Sequence, residues 1–263
     1  MQRHSYYDID KIFLRSLTVQ DIAEPLPSFD TNSPAEDIQA AMELDHLQVV
    51  GVREGGYITG YINSLPSGDG PCGDYAHPIQ EDQVLSGMAP LTDLVLALNR
   101  TPFLFVNLLG EVGGIVTRAD LQDPPVRMWL FGLITLIEMR FLDLIELRFQ
   151  DDGWQKYLSN QRLEKAFALQ AERQRRNQDP RLLDCLQFSD KAQIVVRDEV
   201  LRNQIGFASR RRGDEVIKNL EKLRNNLAHA QDIVSLDWQT IVSLSENLET
   251  VIQISTGADQ PAA

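Results

Sequence analysis

Cysteine is scarce in this chain. Its 263 residues carry two, Cys72 and Cys185, too far apart and too few for a disulfide framework or for a zinc or redox spacing. The four histidines are scattered, so no metal is expected. Long apolar runs are missing too: the most apolar stretch, Met128 to Met139, lies among Arg127, Glu138, Arg140, Asp143, Glu146 and Arg148. It is too short to cross a bilayer and reads as a core helix. Met1 to Asp10 mixes His, Tyr, Arg and Asp without an apolar centre, unlike a signal or transit peptide. A reducing, cytoplasmic location without a membrane is the expectation. Nothing matches a P-loop or a nucleophile elbow.

Basic charge is in deficit, with 25 Lys and Arg against 38 Asp and Glu and a net charge of −13. The deficit is uneven. Residues 1–150 hold 9 Lys/Arg against 21 Asp/Glu, or −12, whereas residues 151–263 hold 16 against 17, or −1. Such a balance argues against passive coating of nucleic acid. Two local exceptions, Arg173 with Arg175 and Arg176, and the run Arg210 to Arg212, read either as phosphate-attracting patches or as solvated helix faces.

What is present divides at Asp123-Pro124-Pro125. Before it, a short helix, a strand, a turn and a strand occur twice. Ala35 to Leu44 precedes His46 to Arg53 and Tyr57 to Ile62, and Leu91 to Leu98 precedes Phe103 to Asn107 and Gly114 to Thr117. The units span about residues 18–64 and 82–124. Residues 64–80, rich in Gly and Pro, read as the loop joining them. After Pro125 the texture is helical. Helices are expected over Pro125 to Phe149, Asp151 to Gln178, Arg181 to Phe188, Lys191 to Gln204, Asp214 to about Ala230 and Asp237 to Ile254. The tail from Gly257 is small and polar and should fray. The predicted fold is therefore an α/β half followed by an all-α helical half.

Two constellations carry chemistry. The first is Gly114-Ile115-Val116-Thr117-Arg118-Ala119-Asp120, a strand end with a hydroxyl and, three residues on, a carboxylate. A carboxylate has two oxygens to match a vicinal diol, and backbone N–H groups near a helix start favour phosphate. Equally, Asp120 closes a local turn and Thr117 is an ordinary strand residue. By register, Gly60-Tyr61-Ile62-Asn63 is the counterpart of Gly114 to Thr117, and Pro66 falls where Asp120 does, so the first unit lacks both groups. With its duplicated frame, this segment resembles the CBS-domain family, in which paired units bind adenine nucleotides. The resemblance implies a tandem CBS-like module over residues 1–124. It also implies an adenine nucleotide as regulatory ligand, with Asp120 on the ribose hydroxyls, Thr117 supporting ribose or phosphate, and one competent site per chain. Arg118 then either holds phosphate or points to solvent.

The second constellation is Arg224-Asn225-Asn226-Leu227-Ala228-His229. Val216, Ile217, Leu220, Leu223 and Leu227 form the apolar stripe of its helix. Asn225 and His229 share a face roughly opposite that stripe, with Arg224 at the stripe's edge. An imidazole suits proton transfer near neutral pH, and a guanidinium stabilises charge developing on phosphate. Equally, His229 is placed to meet the helix dipole or a subunit interface. The motif resembles the HEPN superfamily over about residues 150–254, with 125–149 a connecting helix and 255–263 a flexible tail. That resemblance implies a homodimer with a composite cleft and metal-independent cutting of RNA. His229 would transfer protons, Arg224 would stabilise phosphate and Asn225 would orient them. The alternative is a non-catalytic regulator or scaffold whose helical half binds RNA or a partner protein, including an antitoxin-like one.

Overall fold

Short strands flank each copy of the expected helix–strand–strand frame. In the computed structural model, which describes residues 16–64 and 68–253, β1 (Glu24–Pro25) leads into β2 (Ser28–Asp30), α1 (Ala35–Leu44), β3 (Val50–Glu54) and β4 (Tyr57–Ile62). The series then repeats as β5 (His77–Pro78), β6 (Val84–Ser86), α2 (Leu91–Leu98), β7 (Phe103–Leu108) and β8 (Glu111–Thr117). Each copy builds a four-stranded sheet, in the orders β2-β3-β4-β5 and β6-β7-β8-β1. Strands are exchanged between them. β1 precedes the first copy yet pairs with β8 of the second, and β5 precedes the second yet pairs with β4 of the first.

The exchange explains a glycine in each copy. Gly114 lies opposite Pro25 and Gly60 opposite Pro78. A Cβ at Gly60 would come within 3.0 Å of the His77 carbonyl oxygen, and one at Gly114 within 3.2 Å of the Glu24 carbonyl oxygen. Both positions need a bare backbone so that the exchanged strand can approach.

Residues 64–80 are more than the joint expected of them. A 3-10 turn at Cys72–Tyr75 and strand β5 lie within the described part of that stretch. Cys72 is buried, its amide donating to the Ser33 carbonyl and the Gly73 amide to Thr31. The same two bonds recur in the other copy, from Val19 to Ala89 and from Gln20 to Gly87. Pro66 lies outside the described residues.

Two apolar clusters hold this half together. Ile38 and Met42 of α1 pack on Val50, Val52, Ile62 and Cys72, a core private to the first copy. The second cluster draws on both copies: Leu26 and Val49 meet Phe105 and Ile115, with Ile58, Tyr61, Ile79, Val84, Phe103 and Val112 around them. The two sheets therefore face each other, with β4 lying against β8.

The chain divides into two compact units between Arg127 and Met128, within the first turn of α3 (Pro124–Arg148). From Met128 on, α3 belongs to the helical unit. Trp129, Leu130, Leu133, Ile134, Leu136, Ile137, Phe141 and Ile145 are buried on it, more than one stripe allows, as in a helix enclosed by neighbours. Glu138 pairs with Lys191 at 2.8 Å, Phe141 stacks on Phe188 at 6.1 Å, and Arg148 meets Asp198 at 3.6 Å.

Further helices follow: α4 (Asn160–Arg175), α5 (Phe188–Arg197), α6 (Glu199–Gln204), α7 (Arg210–Ala228) and α8 (Ile233–Gln253). Three expected helices are thereby corrected. Asp151 to Gln178 breaks into a 3-10 turn at Asp152–Tyr157 and α4, because Asp151 caps the Gly153 amide and Trp154 turns inward. Arg181 to Phe188 is a 3-10 turn at Leu182–Cys185 followed by the start of α5. Lys191 to Gln204 breaks at Asp198, whose carboxylate caps the Leu201 amide at 3.0 Å and accepts the Tyr157 hydroxyl at 2.8 Å. Burial acts to raise the Asp198 pKa, but those two bonds and Arg148 outweigh it and hold the carboxyl below its usual range. The last two helices start earlier than expected, behind the caps Ser209 and Asp232.

No described helix is long and apolar enough to cross a membrane. Both cysteines are free and buried, and the described residues hold no cluster suited to a metal ion.

Candidate functional site

β8 delivers Thr117 to the end of the interface between the two sheets. Thr117 lies opposite Phe103 in the β7–β8 pair, so the two side chains share the face that looks toward the first copy. From β4, the Tyr61 ring meets Phe103 edge-on at 5.7 Å and Phe105 at 5.0 Å. From β5, His77 brings its ring to 5.6 Å from Tyr61. Gln83 donates through Nε2 to the Tyr61 hydroxyl at 3.2 Å, fixing the ring's outer end. Thr117, Asp120, Tyr61 and Phe103 are half-buried and His77 is exposed, so a ligand can reach the group.

Thr117 and Asp120 are joined directly. The Thr117 amide donates to Asp120 Oδ2 at 2.6 Å and its hydroxyl to the same oxygen at 3.1 Å, while the Ala119 amide donates to Thr117 Oγ1 at 3.2 Å. Asp120 Oδ1 accepts no hydrogen bond among the described residues. Burial pushes the Asp120 carboxyl above its usual range, more than the two Thr117 bonds pull it down. The arrangement is a held, partly desolvated carboxylate with one oxygen left over, bonded to a threonine whose cross-strand partner Phe103 meets the Tyr61 ring. It can accept from a hydroxyl and offer a flat apolar surface at once.

Arg118 does not simply point to solvent. Its Nε donates to the Leu98 carbonyl at 2.8 Å, so it holds the C-terminal end of α2, where a cation is favoured.

Register fixes the equivalent positions in the sister copy. Tyr61 corresponds to Ile115, His77 to Glu24, Phe103 to Val49 and Thr117 to Asn63. The aromatic rings and the hydroxyl thus collect on one side. The motif supplied Thr117 and Asp120; Tyr61, His77 and Phe103 escaped sequence reading because only strand pairing brings them there.

In the helical unit, α7 buries Gly213, Ile217, Leu220, Leu223 and Leu227, and Val216 is half-buried at the margin of that stripe. A Cβ at Gly213 would lie 2.9 Å from Val196, so α7 crosses α5 closely there. Asn225 and His229 are exposed, as their spacing predicts, and Arg224 is half-buried. The three side chains make no hydrogen bond or ion pair among the described residues. About 140° of helical rotation separates Arg224 from His229, so one chain does not aim them at a common point. His229 is the C-cap: Gln231 N–H bonds back to Asn226 O at 2.9 Å, and Ala230 takes φ 51° to close the helix. The neighbouring Asn226 is committed elsewhere, donating to the buried carboxylate of Asp237 at 2.6 Å, which Lys222 also meets at 3.2 Å.

No protein-family model and no curated protein matches the chain. Solved structures do resemble its α/β part, CBS-domain proteins among them. CBSX2 from Arabidopsis thaliana is 18% identical, covering 43% of this chain and 96% of its own, with a TM-score of 0.36. A putative acetoin utilization protein from Vibrio cholerae is 15% identical, covering 43% and 92%, with a TM-score of 0.37. A CBS domain-containing protein from Bacillus anthracis is 15% identical, covering 42% and 94%, with a TM-score of 0.36. CBSX2 has also been solved in complex with AMP.

Proposed function

We propose that the protein is a nucleotide-responsive regulator whose α/β half binds one adenine nucleotide per chain and whose helical half is the effector. The observation that carries this is a chain of neighbours, with Asp120 bonded to Thr117, Thr117 opposite Phe103, and the Phe103, Tyr61 and His77 rings in sequence. Asp120 Oδ1 accepts a ribose hydroxyl, the rings take the base, and the sister side lacks these groups. Titration calorimetry with AMP, ADP and ATP tests it. One saturable site per chain is the expected result. No heat with any of the three at millimolar concentration overturns it.

A second reading concerns the effector. The exposure of Asn225 and His229 favours a HEPN-like cytoplasmic homodimer that cuts RNA without a metal, pairing Arg224 of one chain with His229 of its mate. The absence of mutual bonds among the three side chains fits a site completed only by a second chain. It fits equally a scaffold that docks RNA or a partner protein there. Incubation with mixed RNA in chelator separates the two. Cleavage lost in His229→Ala with the dimer intact supports the nuclease; no cleavage with or without nucleotide supports the scaffold.

A further inference from the structure

We propose that the outward face of α7 is a binding lane for single-stranded RNA, gripped at its phosphates by Arg211 and Lys218 and leading to Asn225 and His229. The inference rests on the RNA-directed reading of the helical half and extends it to residues outside the Arg-Asn-x-x-x-His motif.

Charge is the first support. The chain is −13 overall, yet α7 holds six cations, Arg210, Arg211, Arg212, Lys218, Lys222 and Arg224, against the acids Asp214, Glu215 and Glu221, or +3. Ion pairing then sorts the cations. Arg210 lies 3.8 Å from Asp214, Arg212 3.0 Å from Glu215 and Lys222 3.2 Å from Asp237. Arg211 and Lys218 are exposed and pair with nothing among the described residues.

Position is the second support. At about 100° per residue, Arg211, Lys218, Asn225 and His229 fall within about 40° of one another, along about 27 Å of helix. Arg211 to Lys218 and Lys218 to Asn225 are each seven residues, or about 10 Å. Two uncommitted cations about 10 Å apart on one face match two phosphates of one strand better than one isolated anion. The row is one side chain wide, which suits a single strand, because a duplex presents two phosphate rows. At its end the amide of Asn225 and the imidazole of His229 offer uncharged partners for a hydroxyl or a base edge. Asp214, paired with Arg210, and Glu221 border the lane about 20° and 40° from Asn225 and oppose a polyanion.

The test is fluorescence anisotropy of the full chain with a short unstructured RNA in chelator, across a salt series. Arg211→Gln with Lys218→Gln should weaken binding about tenfold and flatten the slope of log K against log salt by roughly 1.4, two phosphates' worth. Glu221→Gln should tighten binding, and Lys165→Gln on α4 should leave it unchanged. The gain in Glu221→Gln guards against mistaking misfolding for lost contacts. No binding at low salt, an unchanged slope in the double variant, or preference for a polyglutamate peptide overturns the lane. RNA bound but never cut leaves the lane standing and removes the nuclease. RNA cut with unchanged KM in the double variant removes the lane alone.

Discussion

Thr18-Val19-Gln20-Asp21 and Thr117-Arg118-Ala119-Asp120 make the same turn in different surroundings. In each, the threonine amide and hydroxyl both donate to one aspartate oxygen, at 2.7 and 3.0 Å in the first and 2.6 and 3.1 Å in the second. The first is a cap on a 3-10 turn, with Thr18 buried and Asp21 exposed. The second holds its carboxylate half-buried, next to residues that bring three aromatic rings together. A Thr-x-x-Asp turn is thus complete as structure and needs no ligand to explain it. Whatever makes Asp120 special comes from its neighbours, not from its own hydrogen bonds.

The comparison breaks most directly on the two aspartates. Asp120→Ala should lower adenine-nucleotide affinity by about two orders of magnitude, the effect of losing a charged hydrogen-bond acceptor worth about 1.5–3 kcal/mol. Asp21→Ala should change it less than twofold while costing about 1 kcal/mol of stability through the lost cap. Calorimetry and urea unfolding read the two quantities separately. Equal losses of affinity in both variants would mean that each acts only through the fold.

A smaller effect sharpens the role of the rings. Tyr61→Leu keeps apolar volume but removes the flat face, so AMP should bind about tenfold more weakly, in line with about 1–3 kcal/mol for a base on an aromatic. Ribose 5-phosphate, which has no base, should bind both proteins alike. If its affinity falls as far as that of AMP, Tyr61 shapes the cleft and does not meet the base.

How far the sequence can be read follows from the same contrast. The helix–strand–strand copies are legible because Ala35 to Leu44 and Leu91 to Leu98 carry proline-led helical spacing before β-branched runs. The exchanged strands are not. β1 and β5 are two residues long, each containing a proline, Pro25 and Pro78, and no periodicity can be read over two residues. Thr117 and Asp120 are legible because they are three apart in one motif. Tyr61, His77 and Phe103 come from three strands, and their meeting depends on a register the chain does not spell out locally. A signal existed: aligning the copies sets Tyr61 against Ile115 and Phe103 against Val49, two aromatic departures on the side that keeps its threonine. The helical breaks at Asp151 and Asp198 are hidden for another reason, since capping side chains interrupt apolar spacing that otherwise runs on.

The smallest expected effect concerns ionisation and has a definite sign. Burial raises the Asp120 pKa above its ordinary value of 3.8. The folded chain therefore holds that proton more tightly than the unfolded chain, and the stability linked to it is fully present below the unfolded pKa. It is lost as pH rises through the raised folded pKa. Asp120→Asn keeps an acceptor for the Thr117 amide and never ionises. Relative to the wild type, the variant should therefore gain stability as pH rises from about 3 toward 7, measured as urea midpoints without ligand. Nucleotide should reverse the order near pH 7, because the wild type gains more binding free energy than the weaker-binding variant, about 2.7 kcal/mol at a hundredfold excess over its Kd. A variant that instead loses stability relative to the wild type over that range would show the Asp120 charge serving the fold. The two turns would then be alike after all, and the ribose role would lose its energetic basis.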